Sequence, residues 1–342
     1  MIATSTHQES SLRSLILFPG ALGDFVCFLP TLNRIENASA VDLCARAEFA
    51  DLVSSRVRLR SVDRYEISRL FVHQGAEDER VRAFFAGYHA VYSWTGSGLA
   101  DFAAQLTSVT QGRALLFPFR PLQGGTHQAD HFLHCIAAPP TIALPCISVK
   151  PEANRWCESY WQRHALFDRP VLALAPGSGA REKNWPVPWF AAIAQWWRQR
   201  FRGSIIVILG PVEEERAGYA TLCRDALEVR SLELARLAAL LARCDLYLGN
   251  DSGITHLAAA AGAPTAALFG PSNASQWAPR GKYVMTLTRR EECSPCTVAT
   301  MKGCLHRRCL VAMEPGAVIR QLEQWPVLAS LTRLGLGSSV NH

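Results

Sequence analysis

The segment from Leu246 to Pro271 constrains the fold more tightly than any other stretch. An apolar strand, Leu246-Tyr-Leu248, leads into the polar turn Gly249-Asn-Asp-Ser-Gly253. Apolar and small residues then run at helical spacing from Ile254 to Ala261. A Gly-Ala-Pro break, a second apolar strand Thr265–Phe269 and a Gly-Pro turn follow. Strand, helix and strand in so short a span read as a parallel β–α–β unit. In such a unit the turn after the first strand is where backbone N–H groups and the positive end of the helix dipole face a bound anion. A phosphate-bearing ligand at Asp251–Ile254 is therefore the first expectation.

The same alternation extends through the chain. Strands are predicted at Ser14–Phe18, Val41–Ala45, His89–Trp94 and Ala114–Phe117, and a strand followed by a short helix within Asp63–Phe71. Helices are predicted from Asp24 to about Ile35 and over Glu48–Val53, Leu99–Leu106 and His127–Ile136. The proline-rich stretch Ala138–Pro145 interrupts the series and places a linker before about Pro151. A second series then predicts strands Val171–Ala175, Ser204–Leu209, Leu246–Leu248 and Thr265–Phe269. Its helices are Trp189–Arg200, Glu213–Leu222, Leu232–Ala242 and Ile254–Ala261. With 342 residues, two domains are expected, 1–150 and 151–342. Each is read as a doubly wound, Rossmann-like α/β domain, and the two are expected to face each other across a cleft. A last helix near Pro315–Gln324 is read as able to pack back on the first domain.

Bulk properties exclude several classes. Hydrophobic content of 49% with 19% charged residues describes a packed chain and not a disordered one. The formal net charge of +6 rests almost wholly on arginine, since Lys150, Lys183, Lys282 and Lys302 are the only lysines. No basic block is present, so nucleic acid is not an expected partner. No run is apolar enough to span a bilayer, and the first residues lack the pattern of a signal peptide. Eleven cysteines without an export signal are read as reduced thiols in the cytoplasm.

Three β–α turns carry polar groups at one edge of a sheet. Gly23-Asp24 places a carboxylate between strand and helix, where it could take a proton from a hydroxyl or simply cap the helix. Pro19-Gly-Ala-Leu-Gly23 lacks the third glycine of a dinucleotide turn, which argues against a nicotinamide or flavin. Asp42 lies at a tempting distance for such a cofactor but is read as preceding its strand. The second turn, Pro176-Gly-Ser-Gly179, offers the Ser178 hydroxyl and close approach at Gly179, with Arg181 and Lys183 adding charge; a solvated loop is the competing reading. The third is the opening motif, where Asp251 and Ser252 can cap the helix and His256 sits one turn inside it. Convergence of three such turns on one cleft is the better explanation. Cys293, Cys296, Cys304 and Cys309 leave three readings: a structural zinc site, four reduced thiols, or a disulfide pair. Trp94-Thr-Gly-Ser-Gly98 reads as a cleft lining or a plain loop, and Trp277 as a ligand contact or core.

Gly23-Asp24 with Pro30, Pro176–Gly179 with Lys183-Asn-Trp-Pro186, and Gly249–His256 ending in Phe269-Gly-Pro271 together resemble glycosyltransferase family 9, which contains the ADP-heptose:lipopolysaccharide heptosyltransferases. The cysteine-bearing tail is similar to one found in many members. The resemblance implies a GT-B fold and an inverting, metal-independent transfer of a heptose from a nucleotide-diphosphate sugar, ADP-heptose above all, with no cofactor. It implies a glycan or glycolipid acceptor and a place in the cytoplasm, at the inner face of the cytoplasmic membrane. By position it makes Asp24 the general base and Lys183 the cation near the donor phosphates. Ser178, Gly179, Asp251, Ser252, Gly253 and His256 become donor-binding residues. Departures exist: Phe18-Pro19-Gly20 stands where members often carry a basic residue, and about 56–128 shows no assignable acceptor pattern. A nucleotide-sugar epimerase and a non-catalytic nucleotide-sugar-binding protein are the rival readings.

Overall fold

The computed structural model describes residues 12–122, 124–139, 142–210, 218–329 and 331. Two parallel sheets organise them. The first has the order β3-β2-β1-β4-β5, with β1 at Arg13–Leu17, β2 at Ala40–Ala45, β3 at Val57–Ser61, β4 at Ala90–Ser93 and β5 at Ala114–Leu116. The second has the order β11-β10-β9-β6-β7-β8. Its strands are β6 (Val171–Ala175), β7 (Ser204–Leu209), β8 (Leu227–Arg230), β9 (Leu246–Asn250), β10 (Thr265–Phe269) and β11 (Val284–Thr288). Every strand of β6, β9 and β10 is buried along its whole length, as a sheet covered by helices on both faces requires. Each sheet reverses its winding once, between β1 and β4 in the first and between β6 and β9 in the second. Ligands of open α/β sheets bind beyond the carboxyl ends of the strands at that reversal.

Contacts divide the chain into two compact units. One gathers Met1–Ala21, Pro30–Gln123 and His131–Pro140; the other gathers Leu22–Leu29, Gly124–Asp130 and Thr141–His342. The second therefore takes in Leu22–Leu29, Gly124–Asp130 and the stretch 142–150, all of which the sequence reading assigns to the first domain.

In the first unit, the residues that follow β1, β4 and β5 are aromatic. Phe18 lies 5.7 Å from both Phe119 and Phe132, and Trp94 lies 5.0 Å from Phe117 and 6.1 Å from Phe132. Trp94 is core, so of the two readings of that turn the lining role is not taken by its indole. Asp42 is inside β2, not before it, and is completely buried. Its Oδ1 accepts from Arg13 Nη1 at 2.8 Å and Arg58 Nε at 3.0 Å. Its Oδ2 accepts from Arg58 Nη2, Arg60 Nε and the Tyr88 hydroxyl, each at 2.7 Å. Burial raises its pKa, but these donors together outweigh burial and hold the carboxyl far below its ordinary range. A carboxylate so occupied has no lone pair to offer a ribose.

The second core is built on Trp185, Phe190, Ile193 and Trp197 of the Val187–Phe201 helix region, packed on the apolar side chains of β6, β7, β9 and β10. The Pro315–Gln324 helix buries Val318 and Leu322 in this same core. Of the Glu213–Leu222 helix expected from sequence, 211–217 lie outside the described residues; Ala220–Cys223 is helical. No helix among the described residues is long and apolar enough to cross a membrane.

Candidate functional site

The loops after β6 and β9 flank the reversal point of the second sheet, and they carry the second and third sequence motifs. Asn250, the last residue of β9, ties them together. It is wholly buried; its Oδ1 accepts from the Trp185 amide at 2.9 Å and its Nδ2 donates to the Pro176 carbonyl at 2.8 Å. An amide side chain is suited to this, because it presents a donor and an acceptor at one end. Thr255 adds a second tie, donating from Oγ1 to the Asn250 carbonyl and lying 2.9 Å from the Tyr247 hydroxyl. Sequence reasoning missed Asn250, Thr255 and Tyr247. The signal was present only as polar residues inside an otherwise apolar β–α unit.

Ser252 is the cap of the Gly253–Ala260 helix, its side chain accepting from the Thr255 amide. Asp251 does not cap. Its Oδ2 receives the Lys183 ammonium at 2.7 Å, and the Asp251 side chain is only 9% exposed. Lys183 and Asp251, 68 residues apart, are thus one unit. Lysine has three donors, so two remain without a partner among the described residues after the aspartate is served. The Ser178 hydroxyl faces its own loop, 2.6 Å from Asn184 Oδ1 and 2.7 Å from the Ala180 carbonyl. Its role is to hold the turn that delivers Lys183. At Gly179, a Cβ would meet nothing within 4 Å. Trp277 is half-buried beside the Phe269-Gly-Pro271 turn.

The start of the Leu22–Ala38 helix belongs to this unit. A Cβ on Gly253 would lie 2.8 Å from Leu22 Cβ and 3.0 Å from the Gly23 amide nitrogen. One on Gly23 would lie 3.3 Å from His256 Cδ2. Two glycines are needed for two helix starts to approach this closely. Asp24 is the third residue of its helix, in the first turn and half-buried, which corrects the cap reading. His256 is 4% exposed, with Nδ1 3.7 Å from Cys27 Sγ. Burial lowers its pKa to about 4, opposed by the charges of Asp251 and Asp24 and assisted by His127 and Lys183. At neutral pH the buried ring is therefore uncharged. His127 completes the surroundings: its Nε2 donates to the Ala278 carbonyl at 2.8 Å and its Nδ1 accepts from the Ala129 amide at 3.2 Å. Arg280 grips Asp130 with two bonds of 2.6 Å, which fastens Gly124–Asp130 to the same unit.

The four tail cysteines are free thiols, and with Met301 and His306 they line a cavity of about 10 Å³. Burial pushes the Cys309 thiol up to about 11. Among the described residues no three His, Cys, Asp or Glu side chains stand where they could hold one metal ion, so the zinc reading has no geometric support. The tail instead braces the site loops: the Cys296 amide donates to the Pro271 carbonyl at 2.8 Å, and Ser294 Oγ donates to the Gly270 carbonyl at 2.7 Å.

Known proteins share both sequence and fold with this chain. Residues 125–305 match glycosyltransferase family 9 (heptosyltransferase). Lipooligosaccharide heptosyltransferase 2 of Campylobacter jejuni is 30% identical over 161 residues, which are 45% of this chain and 50% of the relative. The chain spans about half the length of the curated relatives it matches. The solved glycosyl transferase of family 9 from Veillonella parvula is similar at a TM-score of 0.76, with 19% identity, 93% of this chain and 98% of that one covered. E. coli ADP-heptose lps heptosyltransferase II is similar at 0.69, with 17% identity over 93% and 99%. These two likenesses carry the GT-B-like fold, and the family match takes in more than half of the chain. On that match, the chain belongs to glycosyltransferase family 9, the heptosyltransferase family.

Proposed function

We propose that this protein is a glycosyltransferase that moves a heptose from ADP-heptose, or a closely related nucleotide-diphosphate sugar, to a lipopolysaccharide or other cell-surface glycan acceptor. The reading includes inversion at the transferred carbon and needs no metal ion or cofactor. It assigns donor binding to 151–342 and the acceptor side to 1–150, and puts the reaction in the cytoplasm, at the inner face of the membrane. Support for the substrates comes from the relatives, which include a lipooligosaccharide heptosyltransferase and an ADP-heptose lps heptosyltransferase.

One observation carries the chemistry. The close packing of Gly23 on Gly253 and His256 keeps Asp24 in the same compact unit as the Lys183–Asp251 pair. In the proposed reaction the acceptor hydroxyl oxygen attacks the anomeric carbon as the bond to the diphosphate breaks. Asp24 takes the hydroxyl proton, and the nucleoside diphosphate leaves from the opposite face. Charge growing on the leaving diphosphate meets the N–H groups at the Gly253 helix start and the two uncommitted donors of Lys183. Asp251 holds that ammonium in place. Ser178 and Gly179 shape the turn and leave room for the donor; Ser252 fixes the helix start; neutral His256 seats the Asp24 turn.

The test is a thermal-shift screen over nucleotide sugars that includes ADP-heptose, followed by mass analysis of products with glycan acceptors. A shift for ADP-heptose and a heptosylated product are expected, with activity unchanged by EDTA. Absence of any nucleotide-sugar shift would reject the donor site, and loss of activity in EDTA would reject the metal-free route.

A further inference from the structure

The opposite edge of the second sheet holds a feature that the transfer reaction does not use. At the amino ends of β6, β7 and β8 lies a cavity of about 490 Å³ lined by His164, Arg169, Arg198, Arg202, Arg224 and Asp225 among others. The loops of the donor site follow the carboxyl ends of β6 and β9, so the two places are separated by the length of the strands. Four guanidinium groups around one concavity, with a single aspartate, leave three net positive charges. None of the four forms an ion pair among the described residues, although Arg13, Arg58 and Arg60 of the same chain all hold a carboxylate. Arg198 uses one nitrogen on the Asp225 carbonyl at 2.8 Å, which leaves the Asp225 carboxylate itself unengaged with it.

Helix dipoles account for part of this charge. The Pro151–Arg163 and Val187–Phe201 helices both end here, and a helix C-terminus carries roughly −0.5 of an elementary charge. Two such ends offset about one of the three positive charges, so a cationic excess remains. Arg202 sits at φ 51°, in the left-handed region, at a helix-ending position where glycine is the usual choice. Its neighbour Gly203 cannot relieve it by exchanging places, because a Cβ there would come within 2.1 Å of Trp197 Nε1 and 2.5 Å of the Pro170 carbonyl.

We propose that this cavity binds a phosphate-bearing anion, separate from the donor site. Guanidinium groups bind phosphate oxygens in pairs, and the volume falls within the roughly 300–1,000 Å³ of small-ligand sites. The phosphate is either that of a free small molecule or that of an anionic lipid headgroup, and the two are separable. Calorimetry with inorganic pyrophosphate is done on the Lys183→Ala protein, so that the donor site contributes least. Binding to mixed phosphatidylcholine–phosphatidylglycerol vesicles, against phosphatidylcholine alone, is measured by co-sedimentation. The matched protein carries Arg202→Gly and Arg224→Ser; the glycine relieves the left-handed strain, so folding is retained. Pyrophosphate binding that weakens about tenfold or more in the matched protein assigns the free anion. Vesicle binding that weakens in the same way, without a pyrophosphate effect, assigns the headgroup. If neither probe binds, or if binding survives both substitutions, the proposal is wrong. Sugar transfer by the Arg202→Gly, Arg224→Ser protein with Lys183 intact is expected to be unchanged, which keeps this test apart from that of the transferase reading.

Discussion

The two sheets share one architecture and differ in what stands at the reversal point. In the first, the residues just past β1, β4 and β5 are Phe18, Trp94 and Phe117, which pack with Phe119 and Phe132. In the second, the corresponding loops carry Lys183, Asp251, Ser252 and the buried amide of Asn250. One buried charge of the first unit, Asp42, lies within the sheet with its carboxylate fully engaged. The same winding rule thus leads to an aromatic cluster beyond one sheet and to an edge equipped with charged and polar side chains in the other. The rule marks where a ligand could go, and the side chains decide whether one does.

The largest effect should separate chemistry from binding. Asp24→Asn keeps the size of the side chain and removes the base. Transfer is expected to fall by about 10²–10⁴-fold with donor affinity retained, as read by steady-state kinetics and calorimetry. Near-normal turnover would remove Asp24 from the mechanism. Next comes the purely structural charge. Asp42→Ala leaves Arg58 and Arg60 without a carboxylate and should destabilise the protein by about 3–5 kcal/mol in denaturant titrations, with Asp24-dependent chemistry intact in whatever remains folded. A stability loss within error would mean that the first sheet does not depend on this network.

Lys183→Ala tests the equipped edge. It should slow transfer by about 3–4 kcal/mol of transition-state stabilisation and weaken nucleotide-sugar binding, whereas Asp251→Asn should do less, since the lysine itself remains. Unchanged rate and affinity for Lys183→Ala would remove the second edge from the proposed donor site. The smallest effect is one of pH. His256 has a folded-state pKa of about 4, below its ordinary value of 6.5, so the unfolded chain binds more protons between those limits. Stability from the neutral ring is then fully present above about pH 6.5 and is lost as pH falls towards 4, by on the order of 3 kcal/mol. Asp42, whose pKa is also lowered, contributes stability that is lost only below the ordinary carboxylate range. His256→Gln should flatten the pH 4–6.5 slope of thermal melting; an unaltered slope would mean that His256 does not produce it.

The strands that sequence patterning missed have a common cause. β3, β8 and β11 are all at the edges of their sheets. Val57-Arg-Leu-Arg-Ser61 and Leu227-Glu-Val-Arg230 alternate with charged residues, as edges do, and carry no continuous apolar run. The fully buried strands β6, β9 and β10 were legible because burial on both faces leaves little choice but aliphatic and small residues. The Glu79–Ala86 helix, capped by Asp78, was passed over because only Val81 and Phe85 of its residues are buried hydrophobic side chains.

Within the site, local chemistry was readable and partnership was not. A polar turn between an apolar strand and a helix names Asp251, Ser252 and Gly253 from neighbouring residues alone. That Asp251 holds Lys183, that Asn250 bridges two loops, and that Gly23 rests on Gly253 and His256 are facts about residues far apart in the chain. Periodicity and turn composition are set by each segment's own burial, so the sequence by itself determined two parallel α/β windings and the loops able to meet an anion. Pair distances, the neutral state of His256 and the grouping of Leu22–Leu29 with the second sheet depend on how those segments pack, and only the tertiary structure decided them.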